Sequence, residues 1–271
     1  MKNFLVIIFI TALTFWGCSD DEKVVPETES VLAPDGISFS GYNWQIKSTD
    51  NIADSRYFCL TDKSNVRIDE EGHLVLKLTS MDAIWHGAEL ITQEKFGFGT
   101  FKIQIESDFT DFDRNVSFMA SAINVTDDIF EGMTQAGLRY SFYGEENNPN
   151  PLSYILYATD KKYAEEYNSG NQYSQSKSVT THEIKVLPDE LAFESYAGTS
   201  KDELLGKYST KTSDGTGNDY LDISFSKTFP SNKFIFTVCL GEFNEPEKGK
   251  DVEIKILKFE FIPHEDSYSQ K

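Results

Sequence analysis

The sequence predicts a single all-β sandwich domain spanning residues 36–264, and three observations support this fold class. Phenylalanine and tyrosine are abundant, with 21 and 13 copies among 271 residues, and aromatic side chains favour strands. From Ile37 onward, short segments of alternating apolar and polar residues are separated by turn signals, which is typical of a sandwich. No stretch has the period of a long helix, although residues 161–168 and 201–205 could each form one helical turn.

The predicted strands follow one another along the whole domain. Two pairs of segments flank clear turns, at 69–72 and 188–190, and each pair is typical of a hairpin. The alternating segments are 66–68, 73–78, 88–92, 99–106, 116–123, 133–141, 153–157, 181–186, 191–196, 221–225, 234–240 and 252–261. No internal repeat or linker divides them, so we expect one domain followed by a C-terminal tail at residues 265–271.

The segment at residues 133–141 has the clearest two-sided pattern, and a dense turn signal follows it at 142–150. Read with period two, one side of this strand is apolar and the other is largely polar or small. The apolar side carries Ala136, Leu138 and Tyr140, and the other side carries Met133, Gln135, Gly137, Arg139 and Ser141. A polar strand face in a β-rich chain is either a solvated surface or the floor of a ligand cleft.

Residues 1–35 have the features of an export segment and a tether. Lys2 precedes an apolar run at residues 4–15, which is too short for a permanent membrane helix, and Cys18 and an acidic stretch follow. This arrangement resembles a bacterial lipoprotein signal, with residues 1–17 removed and Cys18 lipidated. The acidic stretch resembles the surface-export signal of Bacteroidota lipoproteins. We expect residues 18–35 to tether the domain to the outer membrane at the cell surface; a plain secretory signal is the alternative.

Charge and cysteine content restrict the partners. A net charge of −19 argues against nucleic acid and against an anionic membrane surface, so we expect membrane contact through the lipid anchor alone. A neutral ligand such as a glycan is compatible with this charge. The 4 histidines are scattered without zinc spacing, and we expect no cofactor. Cys59 and Cys239 would form either a disulfide or two buried thiols.

Several stretches, read together, resemble one known family. They are 39–44, 65–74, 87–100, 115–116, 147–150, 181–183, 193–196 and 259–263. In order, over about residues 37–264, they resemble glycoside hydrolase family 16. The resemblance implies a jelly roll of two curved antiparallel sheets, related to concanavalin A, whose concave sheet holds a polysaccharide such as a β-glucan or galactan. It also implies structural calcium on the convex side, at ligands that the sequence does not place.

The catalytic strand of that family reads Glu-x-Asp-x-Glu. Strand alternation puts these positions on one face, where a retaining glycosidase needs two carboxylates across one glycosidic bond. Alignment on residues 143–144 and 147–150 puts Gln135, Gly137 and Arg139 at the three positions. An amide is not a carboxylate nucleophile, glycine has no side chain, and a guanidinium group stays protonated. A one-residue shift finds no carboxylate either, so we expect double displacement to be absent.

The resemblance nevertheless leaves side chains that suit sugar binding. Flat rings stack on sugar C–H faces, and planar amide and guanidinium groups hydrogen-bond hydroxyls. The candidates are Trp85, Gln135, Arg139, Tyr143 and Tyr157. Trp85 is at a cleft-edge position in the family, although a partly buried loop aromatic is an equal interpretation.

Three functional hypotheses follow. The first is a non-catalytic carbohydrate-binding surface lipoprotein, linked to polysaccharide capture. Cys239 stands where the family often has an aromatic residue, commonly tryptophan, so the resemblance implies that a sugar-stacking platform is missing there, which argues against catalysis as the missing carboxylates do. The second is an active glycosidase that uses displaced carboxylates. The candidates for those are Glu131, Asp127, Asp128, Glu145 and Glu146. The third is a structural surface protein whose cleft is filled by its own side chains.

Overall fold

The computed structural model describes residues 35–49, 60–109, 112–125, 135–141, 151–157, 164–168, 178–188, 190–201, 203–211, 233–242 and 245–264. All of them fall within one compact unit, Leu32–Lys271. The predicted signal segment, the C-terminal tail and the tether up to residue 34 lie outside the described residues. No helix within the described ranges is long and apolar enough to cross a membrane.

Strands dominate the described residues, and every pairing between them is antiparallel. In chain order they are β1 (Gly36–Phe39), β2 (Tyr42–Lys47), β3 (Val66–Ile68), β4 (Leu74–Met81), β5 (Ile84–His86), β6 (Ala88–Thr92), β7 (Gly99–Glu106), β8 (Val116–Asn124), β9 (Gln135–Ser141), β10 (Leu152–Tyr157), β11 (Ala164–Asn168), β12 (Val179–Val186), β13 (Glu190–Ala197), β14 (Glu203–Lys211), β15 (Phe234–Glu242) and β16 (Val252–Pro263). A 3-10 turn at Lys63–Asn65 precedes β3.

The strands form two sheets, which we call sheet A and sheet B. Sheet A has the spatial order β1-β2-β6-β15-β8-β9-β10-β11. Sheet B has the order β14-β13-β12-β7-β16-β4-β3, with β5 paired to β4. Strands distant in sequence are neighbours in both sheets, as in a jelly roll. The expected two-sheet jelly-roll sandwich is therefore confirmed.

Sheet B shows how the sequence pattern produces the sandwich. Along β7, Phe101, Ile103 and Ile105 are buried, whereas the alternating Lys102 and Gln104 remain partly exposed. Successive strand side chains point to opposite faces, so one face of this strand enters the core and the other faces water. Burial of a large apolar side chain contributes about 1.5–3 kcal/mol, which fixes the strand's orientation.

Aromatic rings join the two sheets in the core. Phe101 of sheet B stacks on Phe236 of sheet A with ring centroids 5.4 Å apart. Trp44 of sheet A meets Phe259 of sheet B edge-on at 5.1 Å. Such pairs add about 0.5–1.5 kcal/mol beyond the burial of their area, so these contacts help to hold the sheets in register.

Most predicted strands are confirmed within the described residues. The predicted segment 221–225 and the first two residues of 133–141 lie outside them. The two predicted helical turns are wrong: 164–168 forms β11 and 203–211 forms β14. Both are edge strands, and edge strands often carry charged residues that discourage pairing with other chains. Their charged sequences therefore resemble a helix surface, but pairing with a neighbouring strand decides the backbone.

Candidate functional site

The outer face of sheet A, turned away from sheet B, carries the candidate site. On β9, Ala136, Leu138 and Tyr140 belong to the hydrophobic core. Gln135, Gly137 and Arg139 are the alternating residues of this strand, so they lie on the outer face. The two-sided pattern predicted for this strand is confirmed, and the strand occupies an interior position between β8 and β10.

Antiparallel register surrounds each of these residues with defined neighbours. Three rows cross the outer face from β8 to β10, and we call them the central rows. They are Ile123–Gln135–Tyr157, Ser121–Gly137–Ile155 and Met119–Arg139–Ser153. The rows combine hydroxyl, amide and guanidinium groups with aliphatic side chains, which is a mixture suited to a ligand-binding floor.

The outer face of sheet A is largely buried along its interior strands, whereas Ser38 of β1 and Gln45 of β2 are exposed. The exposed fractions on this face are 0% for Ser121 and Ile155, 1% for Thr237, 2% for Ile123, 3% for Glu89 and Cys239, 6% for Ile91, Ser117 and Ser153, 7% for Met119 and 9% for Gln135. Arg139 is partly exposed. In the central rows, the accessible polar groups with described side chains therefore belong chiefly to Gln135 and Arg139. A solvated surface, one of the two alternatives for this face, does not fit these values.

Gln135 is fixed by a residue that sequence reasoning missed. Its Nε2 donates a hydrogen bond of 2.7 Å to Oγ of Ser121 on β8. Ser121 is also the cross-strand partner of Gly137. A Cβ atom built on Gly137 would overlap Oγ of Ser121 and would lie 2.8 Å from both Cβ of Ser121 and the carbonyl oxygen of Ala120. Position 137 thus has no room for a side chain in this arrangement.

Glu89 is the second outer-face residue that sequence reasoning missed. It lies on β6, and it shares a row with Arg139 through Cys239 and Met119. Three strand spacings of about 4.8 Å separate Glu89 from Arg139, or about 14 Å between backbones. The signal was present in the sequence: Ala88 and Glu89 alternate, so if Ala88 faces the core, the Glu89 carboxylate lies on the opposite face.

Glu89 alone does not make a glycosidase site. Among the described side chains on the outer face of sheet A, it is the one carboxylate. A retaining enzyme needs two carboxyl groups about 5–5.5 Å apart, and an inverting enzyme needs them about 6.5–9.5 Å apart. The described part of this face therefore offers neither arrangement.

Comparison with known proteins adds the fold family. No family model and no curated protein matches the sequence. Solved structures do match. A Bacillus licheniformis β-glucanase aligns with a TM-score of 0.55 at 13% identity, over 85% of this chain and 96% of the other. A family 16 enzyme of Bacteroides ovatus, in complex with a mixed-linkage glucan product, aligns with a TM-score of 0.58 at 10% identity, over 81% and 94%.

The chain has the jelly-roll fold of the family 16 glucanases. A further structure with this fold is a pseudo β-1,3-glucanase of Mycobacterium tuberculosis, described as an immunostimulatory antigen. It aligns with a TM-score of 0.56 at 17% identity, over 84% of this chain and 90% of the other. At these identities the similarity establishes the fold, and the chemistry must be argued from the residues of this chain.

Trp85 does not share the outer face with the central rows. It lies on β5, which pairs with β4 of sheet B, and it is 8% exposed within the hydrophobic core. This position favours the packing interpretation, and sugar binding by Trp85 stays a prediction. Tyr157 pairs in register with Gln135. Tyr143, Cys18, Cys59 and the candidate acids Asp127, Asp128, Glu131, Glu145 and Glu146 lie outside the described residues.

A buried polar cluster lies behind β9, between the two sheets. Tyr140 Oη is 3.1 Å from Nε2 of His182, and Nδ1 of His182 is 2.8 Å from Oγ of Ser195. Tyr154 donates to the same Ser195 oxygen at 2.9 Å. Complete burial lowers the pKa of His182 to about 3, because the charged imidazolium is poorly solvated there. The cluster therefore ties β9 and β10 to sheet B through neutral groups.

The described residues contain one group that could in principle hold a metal ion, Asp69, Glu71 and His73. It lies in the β3–β4 hairpin, away from the central rows. The ammonium group of Lys255 is 3.3 Å from the Asp69 carboxylate, and backbone hydrogen bonds, chiefly from His73, lower the pKa of Asp69. These contacts already supply positive partners, so the group is better described as an ion-pair cluster.

Proposed function

We propose that this protein binds a glycan on the outer face of sheet A without cleaving it. The proposal is supported above all by the composition of β9, where Gln135, Gly137 and Arg139 stand at the three catalytic positions expected from the resemblance. The jelly-roll fold supports it in general terms, since the β-glucanases with this fold act on polysaccharides.

Loss of catalysis follows from the chemistry of these side chains. Gln135 has no carboxylate to attack an anomeric carbon, and Arg139 remains protonated at any working pH. Gly137 offers no group to orient a nucleophile, and an added side chain would collide with Ser121. Restoring the carboxylates would therefore require changes beyond the three positions themselves.

Binding uses the same groups in another way. A planar amide and a guanidinium group can hydrogen-bond the hydroxyls of a sugar. The net charge of −19 opposes an acidic or sulfated polymer. The ligand class that fits best is a neutral β-glucan or galactan, captured by a lipid-anchored protein at the bacterial cell surface.

A structural protein without a glycan ligand is the second candidate. Its support is the low exposure of the outer face, where most described side chains are at most 9% exposed. Ser121 and Thr237 are at most 1% exposed, whereas Gln135 is 9% exposed and Arg139 is partly exposed. For that reason we place the binding contacts at Gln135 and Arg139.

Affinity electrophoresis in gels that contain a mixed-linkage β-glucan, laminarin or a galactan tests the proposal. We expect the protein to be retarded by one of these polymers and Gln135→Ala to reduce the retardation. Gln104→Ala is the matched control, because Gln104 lies on the outer face of sheet B. Trp85→Ala tests the earlier prediction for that residue.

Two results would contradict the proposal. Normal mobility in every polymer would favour the structural candidate. Release of reducing sugar, lost on substitution of Glu131 or a neighbouring loop acid, would establish the displaced-carboxylate glycosidase instead.

A further inference from the structure

The cross-strand pair Ser121–Gly137 is unusually close. Ser121 on β8 faces Gly137 on β9 in direct register, and Ser121 is fully buried. Opposed residues in antiparallel sheets normally keep their Cβ atoms about 4.5–5.5 Å apart. A Cβ on Gly137 would lie only 2.8 Å from Cβ of Ser121. The space between the two strands therefore accommodates one side chain.

The side chain that fills this space also holds its neighbour. Oγ of Ser121 accepts the hydrogen bond from Nε2 of Gln135, two residues before Gly137. Gln135 is 9% exposed, and no other hydrogen bond of its side chain is found within the described residues. With Nε2 bonded to Ser121, the amide oxygen Oε1 is the group left to accept a hydrogen bond from a ligand.

We propose that Ser121 is a positioning residue for this site. It occupies the single side-chain space between β8 and β9, and it orients the Gln135 amide so that Oε1 accepts a hydrogen bond from a sugar hydroxyl. The second part rests on the proposed glycan binding, whereas the first part concerns the fold alone. A carboxylate at position 137 is incompatible with Ser121, whatever residues stand at 135 and 139.

A double-substitution cycle tests, without any ligand, whether Ser121 and Gly137 have room for only one side chain between them. We expect Gly137→Ala to lower the melting temperature by roughly 10 °C, or to prevent folding, because the new methyl group overlaps Ser121. Adding Ser121→Gly should recover at least half of that loss. Recovery stays incomplete because the carbonyl oxygen of Ala120 is also 2.8 Å from the new Cβ.

Ser117→Gly is the matched control for this cycle. Ser117 lies on the same strand and face, but its cross-strand partner is Ser141, so it should give no recovery. The proposal that only one side chain fits between Ser121 and Gly137 is wrong if the melting temperature of Gly137→Ala is within about 2 °C of that of the unsubstituted protein. It is equally wrong if Ser117→Gly rescues as well as Ser121→Gly.

The positioning role is tested with Ser121→Ala, which keeps Cβ but removes the hydroxyl group. We expect roughly five- to tenfold weaker retention by the bound polymer, as for one lost hydrogen bond, at a melting temperature close to that of Ser117→Ala. Unchanged retention would overturn the role. If the unsubstituted protein binds no polymer, both the proposed glycan binding and the positioning role of Ser121 are wrong. The melting temperatures of the Gly137→Ala and Ser121→Gly variants would still show whether β8 and β9 leave room for only one side chain at this pair.

Discussion

The outer faces of the two sheets are built from the same strand geometry but have opposite compositions. On sheet B, Glu183 is surrounded by lysines, with Lys201 Nζ at 2.7 Å and Lys185 and Lys102 both at 3.9 Å. On sheet A, the residues at equivalent interior strands are serine, threonine, isoleucine and methionine, and most are at most 9% exposed. Alternation in the sequence gives each sheet an inner and an outer face. The residue types on the outer face then distinguish the charged, water-facing surface of sheet B from the mostly uncharged, buried surface of sheet A.

In the charged cluster on sheet B, burial and hydrogen bonds together shift the pKa values of two side chains. Burial alone would raise the pKa of Glu194, but hydrogen bonds from Lys185 and Tyr196 hold it below its usual value. Burial, together with the hydrogen bond to Glu194, raises the pKa of Tyr196 to about 12. On the outer face of sheet A, the carboxylate of Glu89 belongs to a residue that is 3% exposed and lies opposite Lys47 of β2.

The two outer faces should differ most in how much the protein is destabilised when a lysine is placed on each of them. Thr237 is 1% exposed on β15 and donates to the carbonyl oxygen of Leu90 at 2.9 Å. We expect Thr237→Lys to destabilise the protein by about 3 kcal/mol or more, because it buries an unpaired charge. Gln104→Lys on sheet B should change the free energy of unfolding by less than about 0.5 kcal/mol. Chemical denaturation measures both; equal effects would show that the sheet A face is open to water.

The neutral cluster between the sheets should give the next largest effect, as a pH dependence. The pKa of His182 is depressed from 6.5 to about 3 in the folded state, so the unfolded chain takes up a proton that the folded protein does not. Stability is therefore complete above pH 6.5 and falls as the pH is lowered towards 3. The expected loss is about 2 kcal/mol between pH 6.5 and about pH 4.5.

Denaturant titrations across that pH range check this expectation. His182→Gln should be less stable at neutral pH but should lose most of the dependence between pH 6.5 and about pH 4.5. Carboxylates with lowered pKa values, such as Glu194 and Glu260, contribute at more acidic pH. If His182→Gln keeps the full slope, the dependence comes from other groups.

The smallest effect should come from the charges on sheet B. Glu183 has a side chain only 5% exposed, so Glu183→Gln should cost about 1 kcal/mol and the cost should depend little on salt, because buried charges are weakly screened. Glu260→Gln is the control, since its pair with Lys258 is 40% and 56% exposed and should contribute less than about 0.5 kcal/mol. Equal losses for Glu183→Gln and Glu260→Gln in chemical denaturation would contradict the larger contribution of the buried carboxylate.

Strand positions were predictable because they depend on local alternation. The pattern of Phe101, Lys102 and Ile103 needs only a core on one side to define both faces. The same local logic failed at 164–168 and 203–211, where charged residues at sheet edges resemble a helix surface. It also placed Trp85 equally well in a cleft or a core, because β5 has only three residues and so short a strand shows no clear alternation.

The sequence by itself determined the all-β class, the two-sided character of β9 and the absence of acids at Gln135, Gly137 and Arg139. Those features depend only on residue type and spacing, so they can be predicted without knowing which strands are neighbours. The tertiary structure decided the low exposure of the sheet A face, the row that links Glu89 to Arg139, and the contact of Ser121 with both Gln135 and Gly137. These depend on the register between strands far apart in the chain, and register is fixed only when the two sheets pack together.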